Sequence, residues 1–397
     1  MKNCIVTPTF SGHFVYVRDY LKSFSKLAMD KDNFEICFTI SKHEASAFNK
    51  IIAPFSDLHI RVLFFEDILA KFNIKYTPEE LLSKYKKYSF QTLKKFYTML
   101  YLGKDYRFLV LDSESILFYR CNINNLFDNF FTNPFIAYSD MDKRHRTADF
   151  MRDIKLNTAF ILQSNKIQSL WFLENFVWFY DYKILADLFK EHGSPFEVIN
   201  KVFDDAHNLR VTGVFEIDLY QSFIYLHHKK YGYNLIDTDS MLDKILNPYL
   251  YRESLLKKYW GNCGLLENTT SLLNVANIKD FAKLFKDNNF NIIRVNETSV
   301  NNYYYQKEFL QLVRPYILAA SQDHIFGVKD TFKRRILCIL QYNKLEKIKF
   351  HMKLFIKPIA NFLHWLYQPI YLVINIIIFV PKFVITFLTN IKFIFKR

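Results

Sequence analysis

Glycine is scarce in this chain, with 8 among 397 residues. No G-x-G-x-x-G and no G-x-x-x-x-G-K-[ST] occurs, so a dinucleotide fingerprint and a P-loop are both excluded. Any phosphate bound here is held by a metal, by basic side chains or by single loop amides. Cysteine is scarce as well. Cys4, Cys37, Cys121, Cys263 and Cys338 are odd in number, scattered, and form no C-x-x-C pair. Neither a zinc site nor a disulfide framework is expected, and a reducing cytosol fits. The first residues hold no long apolar run, so a signal peptide is not expected. Acidic residues are missing altogether after Glu346.

What is present is apolar and aromatic. Half the chain is hydrophobic, with 42 Phe and 26 Tyr, which allows a sizeable core and argues against global disorder. The net charge is +14, and more than half of it falls in residues 347–397, which carry eight Lys/Arg and no acid. No residue between Lys357 and Lys382 is charged. Pro358, Pro369 and Pro381 interrupt that stretch, and Asn361, His364, Gln368 and Asn375 dot it. The breaks favour helices lying in a membrane interface, with Lys382, Lys392, Lys396 and Arg397 on headgroups. A true span or a contact with a partner protein are the alternatives. A basic patch beside apolar surface points to a membrane, through residues 354–397, and not to nucleic acid.

Along the chain, apolar runs predict strands at 3–6, 34–40 and 60–65. Between them, helical spacing predicts helices at 14–27 and near 44–52. This βαβαβ opening predicts an α/β fold of the doubly wound type. Thr77-Pro78-Glu79-Glu80 is a capping box that starts a helix to about residue 87. A second helix runs from about Ser89 to Gly103, whose glycine ends it. That helix carries Gln91, Lys94, Lys95 and Tyr97. Further strands are expected at 135–138, 157–162 and 291–295. An aromatic-rich helical region is expected at 169–189, and a helix at 271–285.

The centre of the chain is Arg107-Phe108-Leu109-Val110-Leu111-Asp112-Ser113-Glu114-Ser115. The apolar part is too short for a helix and lacks polar alternation, so it reads as a strand buried on both faces. In an extended segment Asp112 and Glu114 point to the same side, at the strand end where open α/β sheets bind ligands. Two carboxylates there make a seat for Mg²⁺ or Mn²⁺, which takes further oxygens from substrate phosphates. A polar turn closing the strand is the plainer alternative. A second D-x-D, Asp140-Met141-Asp142, runs into Lys143-Arg144-His145-Arg146. It reads as a solvated loop or as a mobile loop over a phosphate. Phe215-Glu216-Ile217-Asp218-Leu219-Tyr220 opens another helix, with Phe215, Leu219 and Phe223 inward. Glu216 and Asp218 there serve the helix dipole, or one of them points into a cleft as a general base.

In these parts and their order the chain resembles the GT-A class of nucleotide-sugar glycosyltransferases. Within that class it is similar to bacterial families with a "DSD"-like metal motif that make surface polysaccharide. The matching segments are residues 4–12, 96–119, 156–163 and 215–223. The resemblance implies a GT-A-like mixed sheet flanked by helices. It implies that Thr7, Pro8 and Thr9 hold the nucleotide base and ribose, and that Lys94 and Lys95 approach the diphosphate. Asp112 and Glu114 would hold Mn²⁺ or Mg²⁺. Asn157, opening a strand, would line the sugar or acceptor pocket, and Glu216 would be the base on the acceptor hydroxyl. Glu114 departs from the pattern, which usually has Asp, and the family also includes metal-independent members.

The resulting expectation is a catalytic core at 1–235, a mixed part at 236–345 completing the acceptor side, and a membrane-associating tail at 346–397. The function expected is transfer of a sugar from a nucleotide-diphosphate donor to a lipid-linked glycan, as in lipooligosaccharide or capsule synthesis. The body would be cytoplasmic, peripheral or monotopic at the inner membrane. A nucleotidyltransferase is a rival, but it wants a glycine-rich basic loop after the first strand. That loop has one glycine and no lysine before Lys22. A non-enzymatic membrane-surface binding or scaffolding protein is the other rival.

Overall fold

The computed structural model describes residues 1–143, 149–172, 178–204, 213–243, 278–294 and 310–319. The basic run 144–146, the stretch 301–305, His324 and the whole tail lie outside the described residues, as does the start of the helix expected from 271.

Three βα units open the chain: β1 (Lys2–Pro8), α1 (Phe14–Leu27), β2 (Phe34–Ile40), α2 (Ala45–Ile52), β3 (Ile60–Phe64) and α3 (Phe65–Lys71). The long α4 (Pro78–Leu102) then leads into β4 (Tyr106–Val110). These strands are parallel, with Val6 beside Cys37 on one side and Ile5 beside Leu109 on the other. Strands β1, β2 and β4 are apolar without alternation because helices cover both faces. β8 (Phe179–Asp181) adds antiparallel beyond β4, giving the order β3-β2-β1-β4-β8. The chain therefore walks outward from β1 to β3, then returns through α4 to the far side of β1. That reversal makes a topological switch point between β1 and β4, and the crevice beyond their carboxyl ends is the ligand position of such sheets.

The core beneath it is aromatic. Tyr20 of α1 meets both Phe24 of the same helix and Phe38 of β2, and Phe38 meets Phe48 of α2, all fully buried. Each such ring contributes roughly 1.5–3 kcal/mol by leaving water.

Helix α4 starts at the capping box expected at Thr77, whose hydroxyl accepts from the Glu80 amide while the Glu80 carboxylate accepts from the Thr77 amide. It breaks at Lys86, a non-glycine residue at φ 61° and ψ 178°. The expected pair of helices is therefore present as two helical segments meeting at Lys86, the second ended by Gly103 at φ 92°. Beyond β5 (Ile116–Leu117) come α5 (Ile123–Thr132) and β6 (Phe135–Asp140), which pairs with β9 (Asn234–Asp237) and β7 (Leu170–Trp171). β5 also joins β11 (Ile317–Ala319), which lies beside β10 (Ile292–Arg294). The helices around them are α6 (Asp149–Leu162), α7 (Tyr182–His192), α8 (Pro195–Asp204), α9 (Glu216–Leu226), α10 (His228–Tyr231), α11 (Thr238–Asp243) and α12 (Ile278–Asp287).

Two expectations are corrected here. The strand expected at 157–162 is the end of α6, because Met151, Ile154, Thr158 and Ile161 form one buried helical stripe. The helical region expected over 169–189 begins instead with β7 and β8, and its helix starts only at Tyr182 after the Asp181 N-cap. Among the described residues no helix is long and apolar enough to cross a membrane.

Candidate active site

At the switch point two loops face each other. The first follows β1 and carries Thr9 to His13; the second follows β4 and carries Asp112 to Ser115. His13 spans them. Its Nδ1 lies 3.1 Å from Glu114 Oε1 and 3.3 Å from Ser113 Oγ. Its ring also packs on Phe10, with centroids 4.4 Å apart. The second loop is a turn and not an extended strand end, closed by the Ser115 amide donating to the Asp112 carbonyl. The premise that Asp112 and Glu114 share a side because the chain is extended therefore does not apply. Each carboxylate instead meets its own basic group.

Asp112 meets Lys95. The Lys95 ammonium, on α4, lies 3.1 Å from Asp112 Oδ1 and also donates to Glu216 Oε1 at the start of α9. Thr92, one turn earlier on the same face of α4, donates to the other Glu216 oxygen at 3.1 Å. Lys95 lies 5.6 Å from the centroid of the Trp178 ring. Burial alone would lower the Lys95 pKa; Asp112 and Glu216 outweigh it and raise it above the ordinary lysine value. Lys95 therefore stays charged. The side chains of Lys95 and Glu216 are 8% and 10% exposed, while that of Asp112 is 34% exposed. The solvent-facing end of this chain of charges is Asp112. The Tyr180 hydroxyl, on β8, is buried with no hydrogen-bond partner among the described residues. Burial pushes its pKa well up, and the charges of Glu216 and Asp112 add to the effect.

Glu216 is held in place by the residues before it. The Gly213 carbonyl accepts from Asn157 Nδ2 at 2.7 Å, the Val214 amide donates to Ser89 Oγ at 2.9 Å, and the Val214 carbonyl accepts from Thr92 Oγ1 at 2.7 Å. Gly213 has φ 76°, and a β-carbon there would sit 1.9 Å from Ser89 Oγ. Asn157 is thus placed in α6, behind the loop that presents Glu216, with its side-chain oxygen buried and unpartnered among the described residues.

The other candidates divide. Asp218 is fully enclosed: Lys155 lies 3.1 Å away, Thr158 donates to it at 2.6 Å, and Lys155 also donates to Ser222. Burial lowers the Lys155 pKa against the pull of Asp218. This pair staples α6 to α9. Contrary to the expected inward stripe, α9 is buried on nearly all sides, Glu216 and Tyr220 included. Thr7 points into the core, with its hydroxyl 3.0 Å from Tyr20 Oη. Lys94 turns away from Lys95 and donates to the Thr9 carbonyl at 2.9 Å. Burial lowers its pKa to about 8, while Glu44 and Glu66 pull it the other way.

Pro8, Thr9, Phe10 and Lys94 line a cleft of about 470 Å³, closed on the far side by Glu44, Pro78 and Leu82. The cleft is mostly apolar, and Thr9 Oγ1 is a buried hydroxyl with no partner among the described residues. The second D-x-D is a turn: the Asp142 amide donates to Asp140 Oδ1, and the Asp140 amide to Asp239. Sequence reasoning missed His13, Thr92 and Tyr180. Only Thr92 left a signal, its i, i+3 spacing to Lys95.

The donor set can be tested against a divalent ion. Among the described residues, no three of His, Cys, Asp and Glu come together as a metal cluster. Asp112 and Glu114 supply carboxylate oxygens from one turn, which fits a cation held jointly with a diphosphate, the usual manner of Mg²⁺. It does not fit a cation held by protein alone.

No protein-family model matches the chain, and no curated protein matches it. Its fold is similar to that of solved structures. Mouse xyloside xylosyltransferase 1 is 13% identical, with 60% of this chain and 86% of that one covered and a TM-score of 0.37. Core-mannan synthase A of Aspergillus fumigatus, in its Mn/GDP form, is 10% identical over 56% and 69%, with a TM-score of 0.36. The glycosyltransferase GlyE of Streptococcus pneumoniae is 10% identical over 85% and 60%, with a TM-score of 0.37. Likeness at this level carries no argument about function, which rests on the chain's own geometry.

Proposed function

We propose that the chain is a glycosyltransferase that moves a sugar from a nucleoside-diphosphate donor to a hydroxyl acceptor. The carrying observation is the Asp112–Lys95–Glu216 chain of charges at the switch point of the parallel sheet. The leaving diphosphate needs positive charge where its own negative charge develops. Lys95 is a buried ammonium at that edge whose pKa is held above the ordinary lysine value. The apolar cleft at Pro8, Thr9 and Phe10 suits a nucleotide base, with the Thr9 hydroxyl spare for a hydrogen bond. Glu216 is the carboxylate able to take the acceptor proton as the new C–O bond forms and the bond to diphosphate breaks. That role applies where configuration inverts. Asp218, enclosed with Lys155, has a positioning part only. Mn²⁺ or Mg²⁺, when bound, would add charge neutralisation on the diphosphate, with Asp112 and Glu114 as its protein ligands.

The finer reading is that the acceptor is a lipid-linked glycan and that the body works at the cytosolic face of a membrane. The basic, apolar tail at 346–397 supports it. The same tail is what favours the rival reading, a membrane-surface binding protein.

The test is a thermal-shift and donor-hydrolysis panel of UDP, GDP, CMP and dTDP sugars, with and without Mn²⁺. It is run on wild type, Asp112→Asn and Glu216→Gln. Binding to the native state raises its apparent stability. A shift with one nucleotide, weakened in Asp112→Asn, and turnover lost in Glu216→Gln are expected. No shift with any nucleotide would transfer the case to the membrane-binding reading.

A further inference from the structure

We infer that the chain has a second, non-catalytic saccharide site, at the C-terminal end of α5, which takes a neutral hexose or N-acetylhexosamine ring. This inference stands apart from the reading of the catalytic edge, since a chain that bound glycans without transferring them would still use it.

The site is a cavity of about 190 Å³ where the C-terminal end of α5 meets the starts of β6, β9 and β10. Six amide side chains line it: Asn129, Asn133, Asn234, Asn288, Asn289 and Asn291. Its apolar wall includes Phe130, Phe135 and Phe179, of which Phe130 and Phe179 stack with centroids 4.4 Å apart. At roughly 30 Å³ per water the space equals about six waters, the scale of one sugar ring and far below a nucleotide.

The chemistry selects the ligand class. Asn side chains both donate and accept, which matches the alternating demands of sugar hydroxyls. The half-buried Phe135 ring, backed by the Phe130–Phe179 stack, suits the apolar side of a pyranose. Three of the amides are already set by the fold: Asn234 Nδ2 donates to Asn133 Oδ1 at 2.7 Å, and Asn288 Nδ2 donates to the Leu284 carbonyl. Asn289 sits at φ 55° in the turn after α12, so this corner is fixed backbone. Among the described residues no Lys or Arg lines the cavity, Asp287 is the one charged group there, and α5 has no basic residue in its last turn to offset the carbonyl end of its dipole. Anionic ligands are therefore disfavoured: nucleotides, sugar phosphates and uronates. Phe179 of the cavity wall pairs with Leu109 of β4, and the residue before it, Trp178, is the ring beside Lys95, so successive residues of β8 serve the cavity and the catalytic edge.

The experiment is saturation-transfer NMR on the full chain with free glucose, galactose and N-acetylglucosamine, and with glucuronate and glucose 1-phosphate as anionic probes. Each is recorded with and without saturating UDP and GDP. Two variants accompany wild type: Asn129→Trp, which fills the cavity from an exposed position, and Asn291→Asp, which keeps its shape and adds charge. Thermal unfolding checks that both fold. The expected result is transfer to a neutral sugar that nucleotide does not displace, lost in both variants, and absent for the anionic probes. Absence of transfer to every neutral sugar overturns the inference, as does transfer unchanged in both folded variants or full displacement by nucleotide. Failure of the donor panel above leaves this result standing, and the reverse also holds.

Discussion

Replacing Lys95 with Met removes an ammonium that Asp112 and Glu216 share while keeping the length of its stem. Both acids are within hydrogen-bond reach of it, and Glu216 is nearly enclosed. At an effective dielectric constant near 20, one such pair at close range is worth roughly 4 kcal/mol before desolvation is subtracted. Removing one partner of a buried pair costs about 3–5 kcal/mol, because the other charge is left uncompensated. The variant is expected to lose about that much in urea unfolding at pH 8. Its pH dependence carries the sharper signature. The nearly enclosed Glu216 of the variant relieves itself by taking up a proton in the folded state, which an unfolded carboxyl, at about 4, does less readily. The folded variant then binds more protons than the unfolded chain, so its stability climbs as pH falls from 8 toward 5. Wild type has no such slope from this cluster. Its Lys95 pKa is raised, so the Lys95 contribution is complete below the ordinary lysine range and fades only above it. Trp178 beside Lys95 offers a local fluorescence reporter. A loss under about 1 kcal/mol, no more than an ordinary exposed pair gives, would refute the reasoning. So would a loss of equal size at pH 5 and pH 8.

Three further outcomes follow from the same geometry. Lys94 is held down near 8 by burial, so the folded chain binds fewer protons than the unfolded one between about pH 8 and pH 10.4, and its contribution to stability rises with pH across that window. Lys94→Met should flatten the rise and stabilise the chain at pH 7 by up to about 3 kcal/mol, less about 1 for the bond to Thr9; chemical denaturation across that range measures it. Gly213→Ala forces a β-carbon against Ser89 at a left-handed φ and should destabilise by roughly 1–3 kcal/mol. Turnover in the donor assay should fall further than the unfolding midpoint suggests, because Glu216 follows that loop. Lys86→Gly relieves the strained kink of α4, against a glycine entropy cost of about 1 kcal/mol, so a gain of roughly 1 kcal/mol in thermal unfolding is expected.

The first hundred residues were open to reading because each element there carries its own local signal. The capping box at Thr77, the helical stripe of α1 and the unbroken apolar runs of β1, β2 and β4 all sit where the pattern puts them. The residues 157–162 misled because Asn-Thr-Ala-Phe-Ile-Leu is short, apolar and partly β-branched, and such a run reads as either state. Extending the window back to Met151 shows the helical period. The site was half legible. Asp112 and Glu216 announce themselves as acids at element ends, but nothing local says that one lysine on α4 reaches both. The enclosure of Asp218 is equally hidden, since Lys155 lies 63 residues away on a helix whose last residues, 157–162, carry a strand-like pattern. His13 closing on Glu114 joins residues about a hundred apart, and only the parallel register of β1 and β4 brings them together.

The single ammonium between Asp112 and Glu216 also bears on the order of events. One cation already shared by two anions cannot greet a third without loosening its hold on the others. On the proposed reading, a donor diphosphate arriving at the exposed Asp112 end draws Lys95 toward itself and frees the Glu216 carboxylate, which until then is occupied by Lys95 and Thr92. Readiness to accept the proton would then depend on the donor being in place, and the site would discriminate between a lone acceptor and a complete pair of substrates without any moving lid. Initial-rate kinetics would show it as compulsory ordered addition, donor first. A random-order pattern in wild type would argue that Lys95 keeps both acids throughout.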